Sequence, residues 1–183
     1  MKKTNTRNLV LSAMFLALGL TLPFLTGQIP AIAQRLCLMH IPILLCGLIC
    51  GWKWGAVIGF ICPLLRSTLF GMPVMFPNAI AMAFELMTYG AMTGFMYSKV
   101  VKKQTLATLY ASMITAMVSG RIVWGIVRVL LSGVSGEAFT WELYISGALI
   151  NAIPGIIIQL VLIPAIMVAL DKAGFVKMKK AEA

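Results

Sequence analysis

Apolar runs of membrane-crossing length recur along the chain, and most charges fall between them. A helix of about 20 apolar residues spans a hydrocarbon core of about 30 Å, so a chain made of such runs has few folds open to it. Of the 183 residues, 61% are hydrophobic and 11% charged, with a mean hydropathy of +0.98. A soluble domain of this size could not hide that much apolar surface. A membrane β-barrel would show short alternating segments, and none are present. The reading is an all-α membrane protein with six transmembrane helices, in one domain over residues 1–183. The spans fall at about 8–24, 37–51, 54–70, 78–97, 106–131 and 143–170.

A net charge of +10 suggests a nucleic-acid partner until the charges are located. The ten lysines fall in four short segments: Lys2 and Lys3; Lys53; Lys99, Lys102 and Lys103; and Lys172, Lys177, Lys179 and Lys180. Basic residues in alternate loops form the positive-inside pattern. They place both termini on the cytoplasmic side and leave no nucleic-acid partner to expect. The loop "SGVSGEAFTWE" on the opposite side has no positive charge and carries Glu137 and Glu142. The first span imitates a secretory signal, with "AIAQ" at 31–34 resembling a cleavage site. Its apolar core is long for a leader, and polar turn residues precede the site, so it reads as a span.

Several function classes lack their residues. Cys37, Cys46, Cys50 and Cys62 form no CxxC pair, and read as small buried hydrophobes. The one histidine, His40, has no acid beside it in sequence, so no metal site is expected; a structural and a ligand-facing role both stay open. There is no P-loop, G-x-S-x-G elbow or H-E-x-x-H. The chain reads as no enzyme. In "GWKWG", a tight turn with two interfacial tryptophans separates spans two and three. Gly47, Gly51, Gly55 and Gly59 form a ladder that reads as close helix packing.

The remaining charges are the informative ones. Arg66, Glu85, Arg121 and Arg128 lie inside apolar runs, with Arg35 in the first outer loop. An arginine at a helix centre costs about 3 kcal/mol on insertion scales, so such residues face a cavity or a partner. At a rise of ~1.5 Å per residue, Arg66, Glu85 and Arg121 all fall in the outer half of the membrane. Asn78, Glu85 and Tyr89 share one stripe, as do Arg121, Trp124 and Arg128. Asn151 lies in the outer half of span six and Gln159 deeper. Three arginines against one glutamate leave a positive surplus suited to a carboxylate. An Arg66–Glu85 pair locking two spans is the structural alternative. The apolar loop "FGMPVMFPN" is a candidate lid over the site.

Three stretches carry a family resemblance: "SAMFLALGL", "MHIPILLCGLICGWKWGAVIGFICPLLRSTLFGMP" and "PNAIAMAFELMTYGAMTGFMY". With its size, six spans and basic inner loops, the chain resembles the substrate-binding S component of an energy-coupling factor (ECF) vitamin transporter. The resemblance implies a multi-pass protein of a prokaryotic plasma membrane that binds a vitamin tightly in an outward cavity. It implies docking on an ECF transmembrane coupling subunit that carries two ABC-type ATPases. This chain would hold no cofactor, ATP being used by the partner ATPases. The family's docking surface of small residues maps onto Ala13 and Ala17. Among family ligands, the arginines favour an anion over cationic thiamine, with pantothenate leading. The competing reading is a self-sufficient secondary transporter of a small organic anion.

Overall fold

Every apolar run that the structure describes is helical. The computed structural model describes residues 2–26, 36–100, 105–135, 140, 144–145 and 150–176, and among these there is no strand. The helices are α1 (Lys2–Thr21), α2 (His40–Cys50), α3 (Trp52–Phe70), α4 (Ile80–Phe95), α5 (Leu106–Ser135) and α6 (Ile153–Lys172). A 3-10 turn, Leu22–Thr26, extends α1, and another, Ile150–Ala152, leads into α6. Single π turns, Met75–Ala79 and Met96–Val100, flank α4.

These six helices fall on the six expected spans, but they are not alike. Four stretches are long and apolar enough to cross a membrane: Thr6–Leu25, Met75–Ser98, Leu106–Gly133 and Ile153–Lys172. Helix α2 has only 11 residues, roughly 16 Å of rise, so it cannot cross the core alone. Helix α3 has 19 residues but carries Lys53 and Arg66.

Backbone conformation sets the boundaries more finely than the expected spans did. The tight turn expected in "GWKWG" is a single residue: Gly51 alone joins α2 to α3, and Trp52 already begins the next helix. Gly51 has φ 93°, a conformation open to glycine because it has no Cβ. The regular turns of the last described helix begin at Ile153, with Pro154 in the first turn; Tyr144 and Ile145, within the expected span, are helical as well, and residues 141–143 and 146–149 lie outside the described residues. Proline is tolerated there because that N–H has no helical acceptor anyway. Where α5 begins, Thr105 and Thr108 cap each other: the Thr105 N–H donates to Thr108 Oγ1 at 2.8 Å, and the Thr108 N–H to Thr105 Oγ1 at 3.4 Å.

Helix α4 is the hub, packing most extensively on α3 and α5 and also on α2. Glycines permit that approach. A Cβ on Gly47 or Gly55 would strike the Gly90 backbone, and one on Gly59 would strike Leu86. So three of the four ladder glycines are packing contacts, while Gly51 serves the turn. Helix α2 is buried nearly all round, as expected of the innermost helix of a bundle. On α5 the pattern is inverted relative to a soluble protein. Ile114, Val118, Ile122, Ile126 and Val129 are exposed, while Arg121 on another face is mostly covered. An apolar outer stripe of this kind suits lipid rather than water.

Candidate functional site

Glu85 sits on α4 with 1% of its surface exposed. A carboxylate so placed has no water to solvate it, and must find its partners in the protein. It has two. Arg121 Nη1, on α5, lies 2.9 Å from Glu85 Oε1, and His40 Nε2, at the start of α2, lies 3.7 Å from the same oxygen. The Arg121 contact is ionic rather than an aligned hydrogen bond, and 3.7 Å is too long for one from His40. Consequently Glu85 Oε1, both ring nitrogens of His40 and Arg121 Nε are buried with no hydrogen bond among the described residues.

Neighbouring side chains fix the geometry of this group. Tyr89, one turn along α4, is 1% exposed, and its ring meets His40 edge-on at 5.3 Å. Gly120 gives that ring its room, because a Cβ there would overlap Tyr89. Arg121 Nη2 approaches Cys37 Sγ at 3.9 Å. Cys37 has φ 48°, which turns the chain into α2, and its carbonyl accepts from Gln159 Nε2 at 3.4 Å. Thus α2, α4, α5 and α6 all reach this locus. One turn along α5 from Arg121, Trp124 stacks on Tyr144 at 6.2 Å and 27°. The Tyr144 hydroxyl lies 3.5 Å from the Arg121 carbonyl.

The structure therefore brings Glu85, Tyr89, Arg121 and Trp124 into one neighbourhood, and seats Arg66 in another. Arg66 is 4% exposed and its Nη1 donates to the Leu20 carbonyl at 2.5 Å. Its guanidinium stands 5.0 Å from the Phe24 ring and 5.6 Å from the Phe70 ring, and those two rings meet edge-on at 4.9 Å. Arg66 closes the carbonyl end of α1, where a cation is favoured. The ion pair that ties helices together is Glu85–Arg121, not the alternative Arg66–Glu85. Asn78 is half-buried on the turn before α4, Arg128 half-buried farther along α5, and Asn151 half-buried in the turn before α6. Ala13 and Ala17 are exposed on α1. Arg35, Glu137 and Glu142 lie outside the described residues.

Electrostatically the locus is more nearly balanced than the arginine count suggested. Glu85 neutralises Arg121, and Arg66 is spent elsewhere. Among the described residues no group of three or more His, Cys, Asp or Glu side chains could hold a metal ion. An apolar groove of about 410 Å³ runs along the exposed face of α5 between Ile122, Ile126, Val129, Leu130, Thr140 and Tyr144. Among the described residues its lining holds no charged side chain. The segment Met75–Ala79, within the expected lid, rests on α3 and α5, with Val74, Met75 and Phe76 exposed.

Sequence reasoning passed over Tyr144 and Cys37 and left His40 open. His40 and Glu85 are 45 positions apart, and nothing in spacing announces their approach. The positive φ at Cys37 has no sequence signal either.

The described helices are those of a multi-pass membrane protein, with one buried ion pair at their centre. No curated protein and no solved structure matches the chain. The family model "ECF transporter, substrate-specific component" matches residues 7–167. The chain belongs to the family of substrate-specific components of ECF transporters.

Proposed function

We propose that this chain binds a vitamin-type small molecule within the membrane and delivers it as the S component of an ECF-type ABC importer. In this reading residues 1–183 form one substrate-binding domain with six spans and cytoplasmic termini in a prokaryotic plasma membrane. The family supports the general role: its members are substrate-binding transport subunits, not enzymes. A transmembrane coupling subunit and two ABC-type ATPases supply the energy, and the exposed Ala13 and Ala17 let a partner helix approach α1 closely.

The observation that carries the site is the buried Arg121. Its Nη1 is committed to Glu85; among the described residues its Nη2 has only a thiol contact and its Nε no hydrogen bond. The Nε–Nη2 edge thus lacks an oxygen acceptor among the described residues, and a carboxylate is the group that guanidinium binds there through two parallel bonds. Trp124 beside it suits an apolar portion, Tyr89 and Glu85 offer polar contacts, and Arg128, Asn151 and Asn78 complete the proposed binding residues. Arg66 supports the site by holding the outer end of α1. An anionic ligand of the pantothenate type fits this arrangement best.

The test is equilibrium binding of labelled pantothenate, nicotinate, biotin and thiamine to the purified protein. Tight binding of an acid and rejection of thiamine support the reading; preference for thiamine defeats it. A second reading has one observation in its favour. The contact of His40 with Glu85 joins two proton-carrying groups, as a self-sufficient secondary transporter of an organic anion would need. Proteoliposomes holding this chain alone discriminate: gradient-driven uptake there establishes the second reading, and uptake only with the coupling subunit and ATPases establishes the first.

A further inference from the structure

At the end of the bundle where α1 begins, four helix ends are stitched into one corner. Asn8 Nδ2 of α1 donates to the carbonyl of Cys50, the last residue of α2, at 3.3 Å, and Gly51 alone leads from there into α3. The end of α4 closes on the same junction, because a Cβ on Gly94 would meet the backbone of Trp52 and Gly47. This corner presents cations outward. Arg7, beside Asn8 and near Cys50, is exposed. Lys53 is exposed too, with its Nζ 5.6 Å from the centre of the Trp52 ring. Trp52 is itself 40% exposed, which suits an indole at a membrane–water interface. Among the described residues neither Arg7 nor Lys53 has an ion-pair partner. The described acids are Glu85, paired with Arg121, and Asp171, which faces Tyr97 from the end of α6.

We infer that this corner binds the headgroup phosphate of an anionic phospholipid, with Arg7 and Lys53 as its cations and Trp52 as its interfacial anchor. Charge complementarity supplies the attraction, since anionic lipid draws basic side chains at the membrane surface. What favours a lipid over a soluble anion is the surface that continues from each cation. Val10 and Met14 follow Arg7 by three and seven residues on α1, and both are exposed. Val57 and Ile61 follow Lys53 by four and eight residues on α3, and both are exposed. Residues so spaced share one helix face, so each cation stands at the foot of an apolar stripe that points into the bilayer. A molecule with a phosphate at one end and acyl chains at the other matches both parts. Preorganisation favours a defined seat over a diffuse field. The cations sit on packed helix ends, so little chain entropy is lost when the headgroup binds. The inference goes beyond the transport reading and needs no ligand in the buried site.

The test is lipid selection by the full-length chain in neutral detergent, read by native mass spectrometry. Phosphatidylglycerol and phosphatidylcholine with identical acyl chains are offered in equal amounts, so the two lipids differ only in headgroup. The wild type should retain phosphatidylglycerol preferentially, and the preference should shrink as salt is raised. Each cation is expected to contribute about fivefold, so Arg7→Gln with Lys53→Gln should cut the preference about twentyfold. Lys172→Gln, an exposed cation at the end of α6, should change it less than about twofold. Equal retention of the two lipids by the wild type overturns the inference and leaves these cations to a protein partner or to orientation alone. An effect of Lys172→Gln as large as that of the double variant shows a diffuse field and overturns the seat at this corner. Displacement of the lipid by inorganic phosphate marks a free-anion site and overturns the lipid assignment. If the double variant does not fold, the wild-type headgroup choice and the phosphate competition decide. None of these outcomes bears on ligand binding at Arg121, so the transport reading stands or falls separately.

Discussion

Arg66 and Arg121 are the same residue type at similar expected depth, and the fold gives them opposite work. Arg66 donates to the end of α1 and stands near two phenylalanine rings. Arg66→Ala should lower stability by about 2 kcal/mol through the lost charged hydrogen bond and cation–π contacts. Ligand affinity should change less than threefold, read by thermal unfolding beside a binding titration. Arg121→Ala strips the buried Glu85 of its cation and should cost about 3–5 kcal/mol. A loss of binding in that variant alone would be ambiguous. The pair Glu85→Gln with Arg121→Gln removes both charges, so it should recover most of the stability yet still bind an acid at least tenfold more weakly. Wild-type affinity in the stable double variant would remove Arg121 from the site.

At the scale of elements, the contacts among α2, α3 and α4 leave no space for side chains. A Cβ at Gly90 would meet the Gly55 backbone, which cannot move aside as a flexible side chain could. Gly90→Ala should therefore cost about 1–3 kcal/mol by overpacking and reduce the folded yield on size-exclusion chromatography. Gly133, on α5, has open space around its Cβ position, and Gly133→Ala should be indistinguishable from wild type. Equal behaviour of the two variants would contradict the close packing. Gly120→Ala belongs with the first group, since its Cβ would press on the Tyr89 ring. Its effect should reach ligand binding through Tyr89 and His40.

For the whole molecule, the separation of surfaces matters most. The buried ion pair and the exposed alanines of α1 do not share a face, so binding and docking can be disturbed separately. Replacing Ala13 and Ala17 with tryptophan should leave the affinity for an acid within about twofold. Uptake by the complete transporter in proteoliposomes should fall more than tenfold, because bulky side chains hold a partner helix away. A parallel loss of affinity would instead assign these alanines to folding.

Much of the architecture was legible in the chain, because lipid leaves little choice: each apolar run must satisfy its own backbone as a helix. That constraint made the helical class and the rough position of each helix readable, and the small-residue ladder was readable as packing. Intramembrane charges could be recognised as unusual because burying them is costly. Their partners were another matter. The exact helix boundary at Gly51 depended on backbone conformation: the tight turn in "GWKWG" was readable, but nothing in its composition says that one residue suffices for it. Which arginine met Glu85 depended on how the helices rotate about their axes and which faces meet, and neither is encoded in local spacing. The sequence by itself determined that charges would be buried among apolar helices. Only the tertiary structure decided that Arg121 and His40 would share one carboxylate while Arg66 closed another helix, because ion pairing is set by ångström-scale proximity between segments that are distant in the chain.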